Sequence, residues 1–360
     1  MNFTAYVNGR SLHLEDAIPH LSESVIMTLP EQLSAATVSV KWDGAPAVVF
    51  GVYRGSHIVA TKSFFNKTPV FYTSLEEIGS DPKLSHEMKL ILGKVYDYTL
   101  PFIDDNPGLY MADLLYHGGA DMNLIQGERY AVAHSNVLAY AAPLDTPTGK
   151  RWMSTDIGLA VHTRIDPVHG KFPIEDGAIF ERTDPLVWYA PKYQVKIPEI
   201  DLREWVNELP STRVVRWVGE MQSVVMPYCN SFVRNGKPLT EATGAGLMHS
   251  LHQAKGRLLE QSTYSEPSDA ALGLYLQSYA ELYEMKNDWL GRFEVVDSDV
   301  KTFYQEPLRG HYVPTGHEGF VIESGSLRGV KLVNRDVFSK LNFSSTACVR
   351  GWAMPQNRSR

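Results

Sequence analysis

Residues 36–54 read ATVSVKWDGAPAVVFGVYR, and the way this stretch alternates and breaks decides the fold class. Val38, Val40 and Trp42 alternate with Ser39, Lys41 and Asp43, the period of a strand with one apolar and one polar face, so Lys41 is aimed away from the core. The run breaks at Gly44-Ala45-Pro46, resumes as PAVVFGVYR (46–54) and, after Gly55, returns as HIVATKS (57–63). Glycine-containing turns between such runs predict an antiparallel meander.

Toward the N-terminus, residues 11–35 carry Leu12, Leu14, Ile18, Leu21, Ile26, Leu29 and Leu33 at mixed helical spacing, broken by Pro19 and Pro30, and read as short lead-in helices. Toward the C-terminus, Asp81-Pro82 has the form of an N-cap followed by proline at the first helical position, opening a helix through Leu84, Met88, Ile91 and Val95. Strands are expected at 108–116, 129–135, 136–143 and 177–183. A helical period then runs from about residue 200 to 295, clearest in Leu272, Leu276, Tyr279, Leu282, Tyr283, Leu290 and Phe293. Strand patterns return in EGFVIES (318–324) and GVKLVN (329–334). The expected organisation is therefore a β-rich part over 1–199, a helical insertion over 200–300, and a second β-rich part over 301–360.

Composition narrows the classes further. With 360 residues and 44% hydrophobic content the chain is long enough to bury a real core. Cys229 and Cys348 are its only cysteines, too few for a disulfide framework or a cysteine zinc site. The sequence opens without a charged and then apolar leader, and no run approaches the roughly 20 apolar residues of a membrane helix. A soluble, cytoplasmic monomer with no membrane partner is expected. A net charge of −7 argues against coating nucleic acid with the whole surface. After Ser326, however, Arg328, Lys331, Arg335, Lys340, Arg350, Arg358 and Arg360 face the single acid Asp336, a local balance of +6. Such a segment attracts phosphates at short range.

Lys41-Trp42-Asp43-Gly44 fits KxDG, and further segments follow it in order. These are Thr61-Lys62-Ser63; YMADLLY with Asp113; Glu318-Gly319-Phe320-Val321-Ile322; and GVKLVNRDVFSKLN with Lys331, Asn334, Phe338 and Ser339. In this series the chain resembles the covalent nucleotidyltransferases, the superfamily of DNA ligases, RNA ligases and mRNA capping enzymes, and is nearest to compact RNA ligases of the phage type. The resemblance spans residues 36–343 apart from the helical insertion. It departs from the pattern at Pro46, where many ligases have arginine; at Asp113, where glutamate is usual; and at Val333, in place of a second lysine. Too few residues follow Lys331 for the OB-fold that many DNA ligases and capping enzymes append.

The resemblance implies an α+β fold, a nucleotidyltransferase domain with antiparallel β-sheets and an inserted helical subdomain. It implies an ATP-dependent polynucleotide ligase, on RNA more than DNA, that joins 5′-phosphorylated and 3′-hydroxyl ends through a lysyl-AMP intermediate. Lys41, Asp43 and Lys331 are the implied catalytic residues. Lys62, Asp113, Tyr140 and Glu318 are implied to bind the nucleotide, Tyr140 by stacking on the base, with packing in the core as the other reading of that residue. Asp113 and Glu318 are implied to hold Mg²⁺ or Mn²⁺. The residue types suit the chemistry: an amine attacks phosphorus only when neutral, a lysine's ordinary pKa is about 10.4, and neighbouring cations such as Lys62 and Lys331 disfavour the ammonium form. Two other readings share parts of this pattern, a capping-type guanylyltransferase that uses GTP and a non-catalytic binding protein that keeps the fold. His249 and His252, at i and i+3, suggest no further metal ligand, and Tyr275, Tyr279 and Tyr283 form a stripe expected to pack.

Overall fold

The computed structural model describes residues 6–7, 10–135, 138–168, 170–174, 184–254, 259, 262–305 and 311–338. The expected strand at 177–183 and the basic residues Lys340, Arg350, Arg358 and Arg360, together with Ser339, lie outside them. The fold is α+β with several antiparallel sheets. The chain divides into two compact units, the first within Met1–Val40, Gln194–Val296 and Glu318–Ser345, the second within Lys41–Tyr193, Asp297–His317 and Thr346–Arg360.

The second unit is built on two sheets. In the six-stranded sheet the order is Gly170–Pro173, Ile157–Asp166, Leu109–His117, Ala47–Tyr53, Ser56–Thr61, with Val187–Tyr189 joining Ile157–Asp166 in parallel. Period-two alternation gives this sheet two different faces. Val48, Phe50, Tyr110, Ala112, Leu114, Leu159 and Val161 belong to a large core cluster with Ile91, Leu92, Val95 and Phe102 of the helices His86–Tyr98 and Leu100–Asp105. The other face carries Val49, Ile58, Ala60, Leu109 and Ile165, a smaller cluster closed by Phe64. The five-stranded sheet is antiparallel throughout, in the order Tyr312–Thr315, Lys301–Gln305, Leu138–Pro143, Glu128–His134, Asp121–Ile125. The helix Pro147–Ser154 follows this sheet's Leu138–Pro143, and a Cβ at its Gly149 would stand 2.0 Å from the Pro143 carbonyl oxygen, so only glycine allows that approach.

Three local expectations change in the structure. Val38–Val40 is shorter than the alternating run and pairs with Gly319–Ile322 in a three-stranded sheet completed by Lys331–Val333, so it is not part of the meander formed by Ala47–Tyr53 and Ser56–Thr61. The segment after Val40 leaves strand geometry at Lys41, which frees the two runs to join different sheets. The helix expected from Asp81 begins instead at His86, capped by the Ser85 hydroxyl, which accepts from the Met88 N–H at 3.1 Å. Asp81 instead ends the helix Leu75–Ser80, and its carboxylate accepts from the Lys83 N–H and the Tyr72 hydroxyl, each at 2.7 Å, in a local turn that does not continue as a helix.

The first unit carries the lead-in helices Leu14–Ala17, Glu23–Met27 and Leu29–Ser34 and the helices Arg203–Glu208, Thr212–Glu220, Gln222–Arg234, Gly244–Ala254 and Asp269–Leu290. Tyr275, Tyr279 and Tyr283 are all buried on the last of these, which Ser268 caps. At its centre lies an ionic network. Lys286 and Glu15 are fully buried and pair at 2.7 Å, Arg335 donates to the same Glu15 oxygen at 2.8 Å and lies 3.6 Å from Asp16, and the Tyr279 hydroxyl donates to Asp16 at 2.8 Å. Two acids and two bases balance, which is the condition for leaving charges in an apolar core. Among the described residues, no helix is long and apolar enough to cross a membrane.

The network predicts an asymmetric response to mutation. Lys286→Met leaves a buried carboxylate with half its compensation, and a loss of about 3–5 kcal/mol in urea unfolding is expected; a loss below about 1 kcal/mol would show that Glu15 is not held as an ion. Burial alone raises the Glu15 pKa, but the Lys286 and Arg335 charges outweigh it and hold it below its usual 4.5. A depressed pKa stabilises the fold above the unfolded value, so the contribution of Glu15 should be complete near neutrality and fall away as pH drops through and below 4.5.

Candidate active site

The Lys41–Gly44 segment is held by its neighbours on all sides. Trp42 is buried, its indole N–H donating to the Pro191 carbonyl at 2.9 Å and its ring set edge-on to Tyr140 and Trp188 at centroid distances of 4.9 and 5.7 Å. The Asp43 N–H donates to the Tyr140 hydroxyl at 2.8 Å. At Gly44 a Cβ would meet the Leu114 carbonyl oxygen at 2.3 Å, so the position admits no side chain, and the Leu114 N–H in turn donates to the Pro46 carbonyl at 3.1 Å. These contacts lay the segment along the strand that carries Asp113. They leave Lys41 turned toward Asp43, with Nζ 3.9 Å from Oδ1 and 17% and 20% of the two side chains exposed.

Asp113 lies at the middle of the strand Leu109–His117, opposite Ala47 on one neighbour and Ala160 on the other. It points to the sheet face opposite the large core, because Ala112 and Leu114 on either side of it belong to that core. His162 reaches it from the next strand, with Nε2 3.7 Å from Oδ1. The pairing of Ile157–Asp166 with Leu109–His117 shifts register between Val161 and Thr163, so His162 is the extra residue of a bulge, a device that re-aims a side chain. Its other ring nitrogen, Nδ1, lies 2.7 Å from the Thr163 hydroxyl. Burial pushes the Asp113 pKa up, but His162, Lys41 and Lys62 together outweigh it and hold the carboxyl below its usual value. Lys62 stands where Ser56–Thr61 ends, on a short 3₁₀ turn Lys62–Phe65 capped by the Thr61 hydroxyl.

The structure thus brings Lys41, Asp43, Lys62 and Asp113 together in one unit, with Tyr140 beneath them. Tyr140 does not serve as the base-stacking ring that the resemblance implies. It is fully buried, edge-on to Trp42 and bonded to Asp43, so its part is to position the backbone around Lys41. Glu318 and Lys331 belong to the first unit, next to the facing strands Gly319–Ile322 and Lys331–Val333. Two further residues, one beside Asp113 and one beside the partners of Trp42, carry no motif in the sequence. His162 lies in a strand whose alternation, IGLAVHTRID, is plain, but a lone histidine there carries no signal without the bulge. Lys192, whose Nζ donates to the Ile174 carbonyl at 2.8 Å, lies between Pro191, which accepts from Trp42, and Tyr193, whose ring lies 5.9 Å from Trp42.

As a donor set, Asp113 offers carboxylate oxygen, which suits Mg²⁺ or Mn²⁺, and Mg²⁺ is commonly held by one or two carboxylates together with substrate phosphates and water. Among the described residues no group of three or more His, Cys, Asp or Glu gathers to make an all-protein metal cage. His249 is engaged with Gln253 at 2.9 Å. No curated protein and no solved structure matches the chain. The model of a family of unknown function (DUF6267) matches residues 8–347, and the chain belongs to that family.

Proposed function

We propose that the chain is a nucleotidyltransferase of the ligase kind, with the Lys41 amine as the nucleophile toward the α-phosphorus of ATP. The observation that carries this reading is Asp113, 3.7 Å from His162 and within reach of the Lys41 and Lys62 charges, on the strand whose Leu114 carbonyl lies against the glycine of the KxDG segment. A recessed carboxylate beside two lysines and a histidine suits a polyphosphate, whose negative charge those side chains would meet together with a bound Mg²⁺.

In the proposed step Lys41 first gives one proton to solvent, its neutral amine nitrogen forms a bond to Pα, the bond from Pα to the bridging oxygen breaks, pyrophosphate leaves with that electron pair, and the nitrogen gives a second proton to solvent. Asp43 and Asp113 orient Lys41 and favour its approach; Lys62 balances charge on the phosphates. In such displacements alignment and charge stabilisation supply most of the rate. Asp113 would hold Mg²⁺, which when bound neutralises phosphate charge. Transfer of AMP to a 5′-phosphate and attack by a 3′-hydroxyl would complete ligation. The parts of Glu318 and Lys331 rest on the motif resemblance.

The reading is tested by incubation with α-labelled ATP and Mg²⁺ followed by intact-mass and peptide analysis. An AMP-sized, acid-labile adduct on Lys41 is expected, absent in Lys41→Ala and competed by unlabelled ATP better than by GTP. An adduct on another lysine, or none with any triphosphate, would overturn it.

A second prediction concerns Asp113. Asp113→Asn keeps the shape and removes the charge, and adenylation should fall about a hundredfold, the scale of losing one preorganised electrostatic contact. Near-parental labelling in a folded Asp113→Asn would remove Asp113 from the site.

A further inference from the structure

The sheet face that carries Asp113 continues past Lys62 to a patch that adenylation does not use. Phe64 and Phe65 follow Lys62 on the same 3₁₀ turn, their rings edge to face at 5.5 Å but differently exposed. Phe64 is buried against Tyr53 and Phe71, with ring centroids at 5.1 and 6.4 Å, and anchors the segment; Phe65 is 39% exposed, as is Val70 at 41%. Lys171 comes from the edge strand Gly170–Pro173, where it pairs with Ile165 and so projects on the same face as Asp113. Its Nζ sits 3.5 Å over the Phe65 ring centroid. Residues 62–72, KSFFNKTPVFY, contain Lys62 and Lys67 and no acid.

We propose that Phe65 and Lys171, with the flanking segment 62–72, form the docking surface for a single-stranded, 5′-phosphorylated polynucleotide end, leading that end toward Lys41. The inference rests on the ligase reading for the identity of the strand and names the part of the protein that holds it. An exposed ring stacks on any base, and an ammonium beside it takes the adjoining phosphate; that pairing recognises a single strand without reading its sequence. A duplex hides its base faces and gains only the charge term. Lys62 links the two ends of the face, since its charge acts both on Asp113 and on Lys171. Burial, and then repulsion from Lys62, lower the Lys171 pKa, so a phosphate near the two lysines relieves a strain already present.

The test uses the full chain, a short 5′-phosphorylated RNA bearing a 3′ fluorophore, anisotropy across a salt titration, and self-adenylation scored by mass in the same samples. Phe65→Ala should weaken single-strand binding about tenfold, the loss of one stacked base, while Phe65→Tyr, which keeps the ring, retains parental affinity. Lys171→Gln should weaken binding and reduce the slope of log affinity against log salt by about 0.7, one lost phosphate contact on a single strand. Self-adenylation should be unchanged in all three. Parental affinity in both Phe65→Ala and Lys171→Gln overturns the surface, as does an equal loss in Phe65→Tyr and Phe65→Ala, or a loss that is as large on a blunt duplex. The two readings fail separately: a missing Lys41 adduct with Phe65-dependent binding sinks nucleotidyl transfer and leaves the surface, and an intact adduct with unchanged binding does the reverse.

Discussion

Everything at the candidate site depends on the burial of Trp42. An indole of that size contributes on the order of 2–3 kcal/mol or more when removed from water, and its single N–H is satisfied by the Pro191 carbonyl, so the position has one low-energy arrangement. Lys41 and Asp43 flank it in sequence and therefore stay where Trp42 puts them. The Tyr140 hydroxyl then fixes the Asp43 N–H, and Gly44 lets the chain lie against the Leu114 carbonyl. A lysine on an ordinary surface strand samples many rotamers. Here its backbone is pinned on one side by a buried ring and on the other by a strand it cannot approach with any side chain at position 44. The x of the KxDG segment is thus the residue that holds the pattern in place, although it touches no reacting atom.

Electrostatics on the Asp113 face are decided by a contest between burial and charge, and charge wins. Desolvation is the largest single influence on Asp113 and favours the neutral acid, yet His162, Lys41 and Lys62 together reverse it. The same Lys62 has the opposite effect on Lys171, where like charge adds to burial. One cation therefore stabilises an anion on one side and destabilises a cation on the other. Lys41, Lys62 and Lys171 thus bring positive charge to the surroundings of the Asp43 and Asp113 carboxylates, a local arrangement that the net charge of −7 does not describe.

Much of this was legible in the sequence, and the gaps have physical causes. The alternation of Val38, Val40 and Trp42 marked three residues that are buried, because period-two patterning is a local property, but Ser39 between them is buried as well and the strand ends before Lys41, so the expected polar face is not formed. Which sheet the strand joins is not local: Val38–Val40 pairs with residues some 280 positions away, at Gly319–Ile322, and no short-range signal encodes that. His162 was invisible because a bulge, not a motif, delivers it to Asp113. Tyr140 was visible as an aromatic near the site, but its orientation was not, and orientation separates a stacking surface from a buried prop. Asp81 misled for a related reason. An Asx turn and a helix N-cap share their residue preferences, and the choice fell to Tyr72, which engages the Asp81 carboxylate from outside the segment.

The use of aspartate at position 113 follows from the strands beside it. In register with Asp113 stand Ala47 and Ala160, one on each side, so the central row of the sheet face reads alanine, aspartate, alanine. Cross-strand neighbours in register lie close enough for their side chains to fill the space between them, and two methyl groups leave a notch with a carboxylate at its floor. A longer acid would lift the carboxylate out of that notch and toward solvent, where screening weakens its hold on Lys41. A larger residue at 47 or 160 would close the notch. The short acid and the two small neighbours therefore act as a unit: both alanines are buried, and the Asp113 side chain between them keeps 19% of its surface exposed, on the side from which His162 approaches at 3.7 Å.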